Sequence, residues 1–115
     1  MAARTMATQV SASEKVLNEW LWTWSGICFG YRRRDSLFTY DGREVGRFDG
    51  KQIYGPDVHY IGELKDVRLI VKEAGKSQRR GTFVPAVRID YEQRPNVHKR
   101  ALPAGYEDFP GPDAL

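Results

Sequence analysis

The sequence repeats with a period of 16 residues through its central part, and this period constrains the fold more than any single residue does. Fixed-period self-similarity is typical of a supersecondary unit that can bury its apolar face only against its neighbours. A unit of this length accommodates two short strands and two turns, so each unit is predicted to be a β-hairpin. The first phase holds Leu21-Trp22-Thr23, Leu37-Phe38-Thr39, Ile53-Tyr54-Gly55 and Leu69-Ile70-Val71, and the second holds Phe29-Gly30, Val45-Gly46 and Ile61-Gly62.

Turn signals separate the predicted strands. Asp-Gly pairs between short apolar runs are strong hairpin signals, because glycine adopts positive φ without a Cβ penalty. Val58 occupies the phase in which Gly26 and Gly42 lie, and Val67 stands one place past the phase of Gly50. A β-branched residue at positive φ costs ~1–2 kcal/mol. We therefore expect either a strained backbone or a different turn type at the two valines, and glycine there to stabilise a strained turn.

The length of 115 residues indicates a single domain. We predict an all-β fold of four hairpins, with residues 1–11 disordered, one β-repeat domain over 12–91 and an irregular Pro/Gly-rich tail over 92–115. The capping-box spacing of Ser11 and Glu14 predicts a short helix over residues 12–20. The fourth unit is predicted to return through residues 82–84, and a last strand is predicted over 87–91.

Cysteine content and hydropathy restrict the setting in which such a chain works. Cys28 is the single cysteine, which excludes an intramolecular disulfide and a cysteine-cluster zinc site. No apolar run approaches the ~18 residues of a membrane helix, and the N-terminus lacks the pattern of a secretory signal. These features predict a cytoplasmic protein without membrane contact or cofactor.

The repeated units resemble the bacterial 4-fold β-flower proteins. The resemblance extends over about residues 21–87, and the segment Gly105-Tyr106-Glu107-Asp108-Phe109-Pro110 is similar to the ending of some members. It implies four short hairpins around a pseudo-fourfold axis. Since the family has no assigned activity, the resemblance implies no catalytic residue. The most similar segments are Tyr40-Asp41-Gly42-Arg43-Glu44-Val45-Gly46-Arg47-Phe48, Gln52-Ile53-Tyr54-Gly55 and Tyr60-Ile61-Gly62-Glu63-Leu64.

Two sets of repeated residues are candidates for a site. Asp41 and Asp57 share one phase, so symmetry would place both carboxylates on one rim, where they could act in acid–base chemistry or bind a hard cation. The favoured interpretation is structural, because Asp in such a turn bonds its own backbone. Gly30, Gly46 and Gly62 are predicted to line the axis, either for close strand packing, which we favour, or around a small pocket.

The net charge of +3 is concentrated in basic clusters. Arg32, Arg33 and Arg34 lie in a predicted turn, and Arg79 and Arg80 lie in the loop of the fourth unit. Such clusters can neutralise phosphates, and aromatic neighbours can stack on bases. A solvated turn is the favoured interpretation, because interleaved acids cancel much of the charge.

No segment supplies a nucleophile, a base and an orienting group together. His59 and His98 have no spacing that indicates a metal site. The sequence therefore predicts a non-enzymatic binding or assembly module that contacts protein, either a second copy or another chain. Two alternatives remain open: polyanion binding through the arginine clusters, and a small hydrolase or ligand-binding protein that uses Asp41 and Asp57.

Overall fold

The computed structural model describes residues 17–76, 81–89 and 91–115, and within them the fold is almost entirely β. Helical structure in this part of the chain amounts to the short 3₁₀ turns Glu73–Gly75 and Pro112–Ala114. Among the described residues, no helix is long and apolar enough to cross a membrane. The strands are β1 Glu19–Thr23, β2 Cys28–Arg33, β3 Ser36–Thr39, β4 Glu44–Asp49, β5 Gln52–Tyr54, β6 Tyr60–Lys65, β7 Arg68–Lys72 and β8 Tyr106–Asp108.

Strands β1 to β7 close into a mixed barrel. Each strand pairs antiparallel with the next along the chain. Closure comes from a parallel pairing between β1 and β7, in which Trp22 lies opposite Arg68 and Thr23 lies opposite Leu69. The rest of the same β7 edge pairs with β8, where Val71 lies opposite Glu107. Closure removes the sheet edges that an open hairpin array would expose.

Three hairpins repeat the same backbone pattern. In each hairpin the strand register shifts directly after a buried Leu or Ile. These buried residues are Leu21, Leu37 and Ile53. Each hairpin then has a three-residue turn (residues 24–26, 40–42 and 56–58) whose last residue has positive φ, the geometry of a type I turn followed by a G1 bulge. These last residues are Gly26, Gly42 and Val58, with φ of 96°, 92° and 73°. The positive φ expected in this phase is therefore present, and Val58 adopts it with a β-branched side chain.

The two-residue turns between hairpins form a second series. Arg34, Gly50 and Asp66 occupy the first central position and have φ of 57°, 64° and 60°. Val67 does not have positive φ, because Asp66 takes that conformation one residue earlier, so of the two alternatives at Val67 the unstrained turn is the one observed. Asp tolerates it better than valine, since its short polar side chain can bond the local backbone.

The core repeats with the same period as the sequence. Leu21, Leu37, Ile53 and Leu69 are all buried in one cluster inside the barrel. Phe29, Val45, Phe48, Tyr54, Tyr60, Val71 and Phe109 complete the cluster. Phe109 comes from the predicted irregular tail, so residues near the C-terminus are part of the barrel core.

Two expectations about the ends of the repeat are wrong in the described residues. Residues 17–20 form no helix: β1 begins at Glu19, because its alternating side chains pair with β2. The predicted helix positions 12–16 and the predicted disordered residues 1–11 lie outside the described residues. Residues 82–84 and the described part of 87–91 form no strand beyond one isolated bridge at Val87. Strand β8 pairs with β7 instead.

The chain between the bridge at Val87 and β8 crosses the rim that carries Gly26 and Gly42. Its backbone N–H groups donate to carbonyl groups in the turns of this rim. The indole N–H groups of two tryptophans also donate to this segment: Trp22 Nε1 donates to Pro95 O at 2.8 Å and Trp24 Nε1 donates to Ala101 O at 2.9 Å. The backbone bonds are Arg88 N to Gly42 O, Glu92 N to Tyr40 O, Val97 N to Gly26 O and Arg100 N to Trp24 O.

Candidate binding groove

A largely apolar groove of about 710 Å³ lies at the rim of the three-residue turns, and we call it the rim groove. Its lining includes the turn 55–57 and Ile61 on the hairpin β5–β6. It also includes Pro85–Val87, with Val45 and the C-terminal Leu115. The groove is therefore built from two repeated hairpins, β3–β4 and β5–β6, and from two non-repeated parts of the chain.

Backbone bonds hold the segment Pro85–Val87 against the start of β4. Glu44 N donates to Ala86 O at 2.9 Å, and Arg88 N donates to Gly42 O at 2.7 Å. Val87 lies between these bonds, opposite Arg43, as a non-hydrogen-bonded antiparallel pair. The N–H and C=O of Val87 therefore point away from the barrel.

A buried carboxylate fixes the same segment. The Glu44 side chain is 1% exposed, and its Oε1 accepts from Ala86 N at 2.9 Å while its Oε2 accepts from Arg47 Nε at 3.0 Å. Burial by itself would raise the pKa of Glu44, but the hydrogen bonds from Arg47, Ser36 and Ala86 outweigh it and lower the pKa below its usual value. Glu44 is thus a structural anion at the rim groove.

The C-terminus is bound to the groove by one arginine. Arg43 donates from Nη1 to Leu115 O at 2.7 Å and from Nη2 to Pro112 O at 2.8 Å. The same guanidinium lies 3.4 Å from Asp41 through Nε. Arg43 therefore sets the position of Leu115 along the groove lining.

The two candidate aspartates lie on equivalent turns but have separate partners. Asp41 accepts a hydrogen bond from Thr39 Oγ1, which together with Arg43 lowers the pKa of Asp41. Asp57 accepts from the backbone N–H of His59, and its Oδ2 lies 3.3 Å from His59 Nδ1, which lowers the pKa of Asp57. Of the two, Asp57 lines the rim groove. Each carboxylate is engaged by groups of its own turn.

Gly30, Gly46 and Gly62, which were predicted to line an axis, lie at close contacts with neighbouring parts of the chain. A Cβ on Gly30 would stand 2.0 Å from the carbonyl oxygen of Phe38. The corresponding distances are 2.7 Å from Gly46 to the Ile53 side chain and 2.5 Å from Gly62 to the Phe109 ring. The space beside these glycines is filled by protein, so they do not line the rim groove.

The arginine cluster of the first two-residue turn is engaged in local contacts. Arg32 stacks over the Phe48 ring at 4.2 Å and lies 3.4 Å from Asp35. Arg33 donates to Asn18 Oδ1 at 3.1 Å. Arg34 adopts the positive φ of its turn, and Arg79 and Arg80 lie outside the described residues. Of the two predicted clusters, only that of Arg32, Arg33 and Arg34 therefore lies within the described residues.

Cys28 and the two histidines form no joint site in the described residues. Cys28 is fully buried, and burial is the main reason why the pKa of its thiol is raised. Its Sγ accepts a hydrogen bond from Arg94 N at 3.4 Å. The described part of the chain contains no cluster of three His, Cys, Asp or Glu side chains placed to hold a metal ion.

Apart from Asp57, the residues that form the rim groove were not predicted as a site. One signal was available: Glu44 occupies the repeat phase of Cys28 and Tyr60, and all three residues are buried. A charged residue in a buried phase indicates a specific partner. Ala86, which is this partner, and Leu115, which lines the groove, lie outside the repeat, so no repeat phase indicated their roles.

Comparisons with models of known families, with curated proteins and with solved structures find no match for this chain.

Proposed function

We propose that this protein is a non-enzymatic binding module that acts through protein contacts at the rim groove. One observation carries the proposal: an apolar groove of about 710 Å³ lies open beside a chain segment whose outward N–H groups lack partners among the described residues. Apolar walls next to free main-chain donors suit an extended peptide, because the backbone gives affinity and alternate side chains fill the groove.

The polar groups at the groove support binding more than catalysis. The Glu44 carboxylate is occupied by Arg47 and Ala86, and Arg43 is occupied by the C-terminal carbonyls. Asp57 is paired with His59 on an exposed turn. A hydrolase would need one of these groups to be poised toward a substrate with a base in reach.

The pseudo-fourfold arrangement belongs to the same proposal. Three hairpins share their register shift and their turn conformation, and β8 pairs with β7 where a fourth return strand would lie. We propose that β7 and β8 are the fourth unit of a β-flower whose return strand comes from the C-terminal segment. This arrangement leaves the chain between β7 and β8 free to build the rim groove.

Selection from a random peptide library displayed on phage tests the proposed function. Selected peptides should be extended and apolar, and Pro56→Glu or Leu115→Glu should weaken their binding at least tenfold. The matched control is Val67→Glu, which changes an exposed apolar residue in the turn between β6 and β7, away from the groove. Peptides that bind all four proteins equally, or a selection that yields no binder, would contradict the proposal.

Polyanion binding is the weaker candidate, because Arg32 and Arg33 already have partners in the fold. Titration with single-stranded and duplex DNA at two salt concentrations separates the two functions. A nucleic-acid site would lose affinity steeply with salt through counterion release. Apolar peptide binding should change little under the same conditions.

A further inference from the structure

We propose that the rim groove selects peptides in which a lysine or an arginine adjoins the apolar residues, and that Asp57 is the group that makes this selection. This inference rests on the proposed function, since it names the class of peptide that the groove takes. It follows from the charges around the groove. The walls are largely apolar, and one charged side chain among them is left without a permanent counter-ion.

Among the described residues, three charged side chains line the rim groove, and two of them are neutralised within the fold. The Glu44 side chain is 1% exposed and pairs with Arg47 at 3.0 Å. Arg43 pairs with Asp41 at 3.4 Å and also donates to two carbonyl groups of the C-terminal segment. The third charge is the carboxylate of Asp57, which therefore sets the sign of the charge at the groove.

The partner of Asp57 leaves its carboxylate available to a ligand. His59 N donates to Asp57 Oδ1 at 3.4 Å, and His59 Nδ1 lies 3.3 Å from Asp57 Oδ2. An imidazole is charged only when it is protonated, so His59 is not a permanent counter-ion. The Asp57 side chain is 74% exposed, and each carboxylate oxygen can accept a further hydrogen bond. A lysine or arginine of a bound peptide can therefore pair with Asp57.

The turn that carries Asp57 is left open by the chain that crosses the rim. That chain donates N–H groups to Gly42 O and to Gly26 O in the two equivalent turns. Within the described ranges, no backbone hydrogen bond joins it to the turn 56–58. This turn is closed by bonds of its own, from Gly55 N to His59 O at 2.8 Å and from Val58 N to Gly55 O at 3.1 Å. Asp57 is thus held on an ordered turn, and a group that is already ordered loses little conformational entropy when it binds.

The net charge of the protein opposes this selection, which makes the selection informative. The whole chain carries a charge of +3, and a positive protein attracts acidic ligands through its long-range field. A preference for basic peptides must therefore come from a carboxylate close to the bound peptide. Because the pair is exposed to solvent, we expect it to change the affinity by about two- to fivefold.

Parallel selections from a random peptide library displayed on phage test the inference. The baits are the wild type, Asp57→Asn and the matched control Asp66→Asn. Asparagine keeps an acceptor oxygen for the N–H of His59 but removes the charge. Lysine and arginine should outnumber aspartate and glutamate in the peptides that the wild type and Asp66→Asn select. This excess should be lost in the peptides that Asp57→Asn selects.

Asp66 is the matched control because its side chain is 71% exposed and is paired outside the groove, with Arg100 at 3.1 Å. Asparagine also tolerates the positive φ of 60° at this position. The two variants therefore have the same net charge and differ in whether the lost carboxylate lines the groove. Thermal melts of both variants should give the wild-type midpoint within error.

Fluorescence anisotropy with one labelled peptide selected by the wild type measures the size of the effect. Changing the basic residue of this peptide to glutamine should lower its affinity for the wild type about two- to fivefold. The same change should leave its affinity for Asp57→Asn unaltered. High salt should reduce the difference between the two peptides, because ions screen an exposed pair, while the apolar contribution remains.

Two outcomes would overturn the inference and leave the proposed function standing. One is a set of apolar binders with no excess of basic residues, or with an excess of acidic ones. The other is an excess of basic residues that Asp57→Asn retains. A selection that yields no binder, or binders that ignore Pro56→Glu and Leu115→Glu, would contradict the proposed function itself and this inference with it.

Discussion

The ring of Phe109 lies against Gly62, with two ring carbons 2.5 Å from the position that a Cβ on this glycine would occupy. The ring also packs edge-to-face on Phe29 at 5.2 Å. A side chain that follows β8 therefore fills the barrel beside β6. This contact joins the C-terminal segment to the repeated hairpins.

Gly62→Ala should destabilise the protein by ~1–3 kcal/mol, because overpacking moves the Phe109 ring or the backbone at Ile70. Thermal or urea unfolding measures the effect. Gly111→Ala is the matched control, because no atom lies within 4 Å of its Cβ position. Its stability should stay within ~0.5 kcal/mol of the wild type. Equal stability of the two variants would show that the position of the Phe109 ring does not require the absence of a Cβ at residue 62.

Phe109→Ala should cost ~3–5 kcal/mol, because it removes a fully buried aromatic side chain. The cost of Gly62→Ala should be smaller in the Phe109→Ala background than alone, since the new methyl group no longer meets the ring. A double-mutant cycle by urea denaturation measures this coupling. Strictly additive effects would contradict direct contact.

Val58→Gly should raise the free energy of unfolding by up to ~1 kcal/mol. Valine at a φ of 73° is strained by ~1–2 kcal/mol, and the added freedom of glycine in the unfolded chain offsets ~0.4–1 kcal/mol of the gain. Val67→Gly should have the opposite sign, since Val67 lacks positive φ and only the unfolded-state effect acts. Thermal melts of both variants provide the check, and a lower midpoint for Val58→Gly would contradict the strain.

Glu44→Gln should destabilise the protein by ~1–3 kcal/mol at neutral pH, because the glutamine amide has one acceptor oxygen for the two donors Arg47 Nε and Ala86 N. The pKa of Glu44 is lower in the folded state than in the unfolded chain, where it is ~4.3. Its stabilisation is therefore present above the unfolded pKa and is lost as the pH falls through the folded pKa. The difference between wild type and Glu44→Gln should shrink in urea titrations below about pH 4. A constant difference at all pH values would contradict this role.

Cys28 should react slowly with thiol reagents in the native protein, because it is buried and its thiol pKa is raised. The segment that covers it is anchored by the hydrogen bond from Trp22 Nε1 to Pro95 O. Trp22→Phe removes this bond, worth ~0.5–1.5 kcal/mol, so the labelling rate should rise roughly two- to tenfold. Labelling at the rate of an exposed thiol in the wild type would show that the segment does not cover Cys28.

The sequence repeat was sufficient to predict the first three hairpins because each of them is held by contacts within one or two units. The buried positions Leu21, Leu37, Ile53 and Leu69 and the turn phase of Gly42 follow directly from the period. Hairpin turns restrict φ at particular positions, so their residue types are visible in the sequence. Asp66 was missed because aspartate is compatible with both signs of φ in a turn.

The rim groove could not be predicted in the same way, because its parts meet only after the barrel closes. Ala86 and Leu115 have no periodic counterparts, and their partners Glu44 and Arg43 lie far from them in the chain. A contact formed once gives no repeated signal. The residue types that form these contacts are also common in ordinary loops.

The sequence by itself determined a β-hairpin repeat and its buried phases, since alternating burial and turn conformation are local properties that recur with each unit. Only the tertiary structure decided that β1 pairs parallel with β7, that β8 takes the remaining edge, and that Phe109 enters the core. These choices depend on which distant segment best covers an open edge and fills the space beside a glycine. Which distant segment takes these positions is decided only when the whole chain packs.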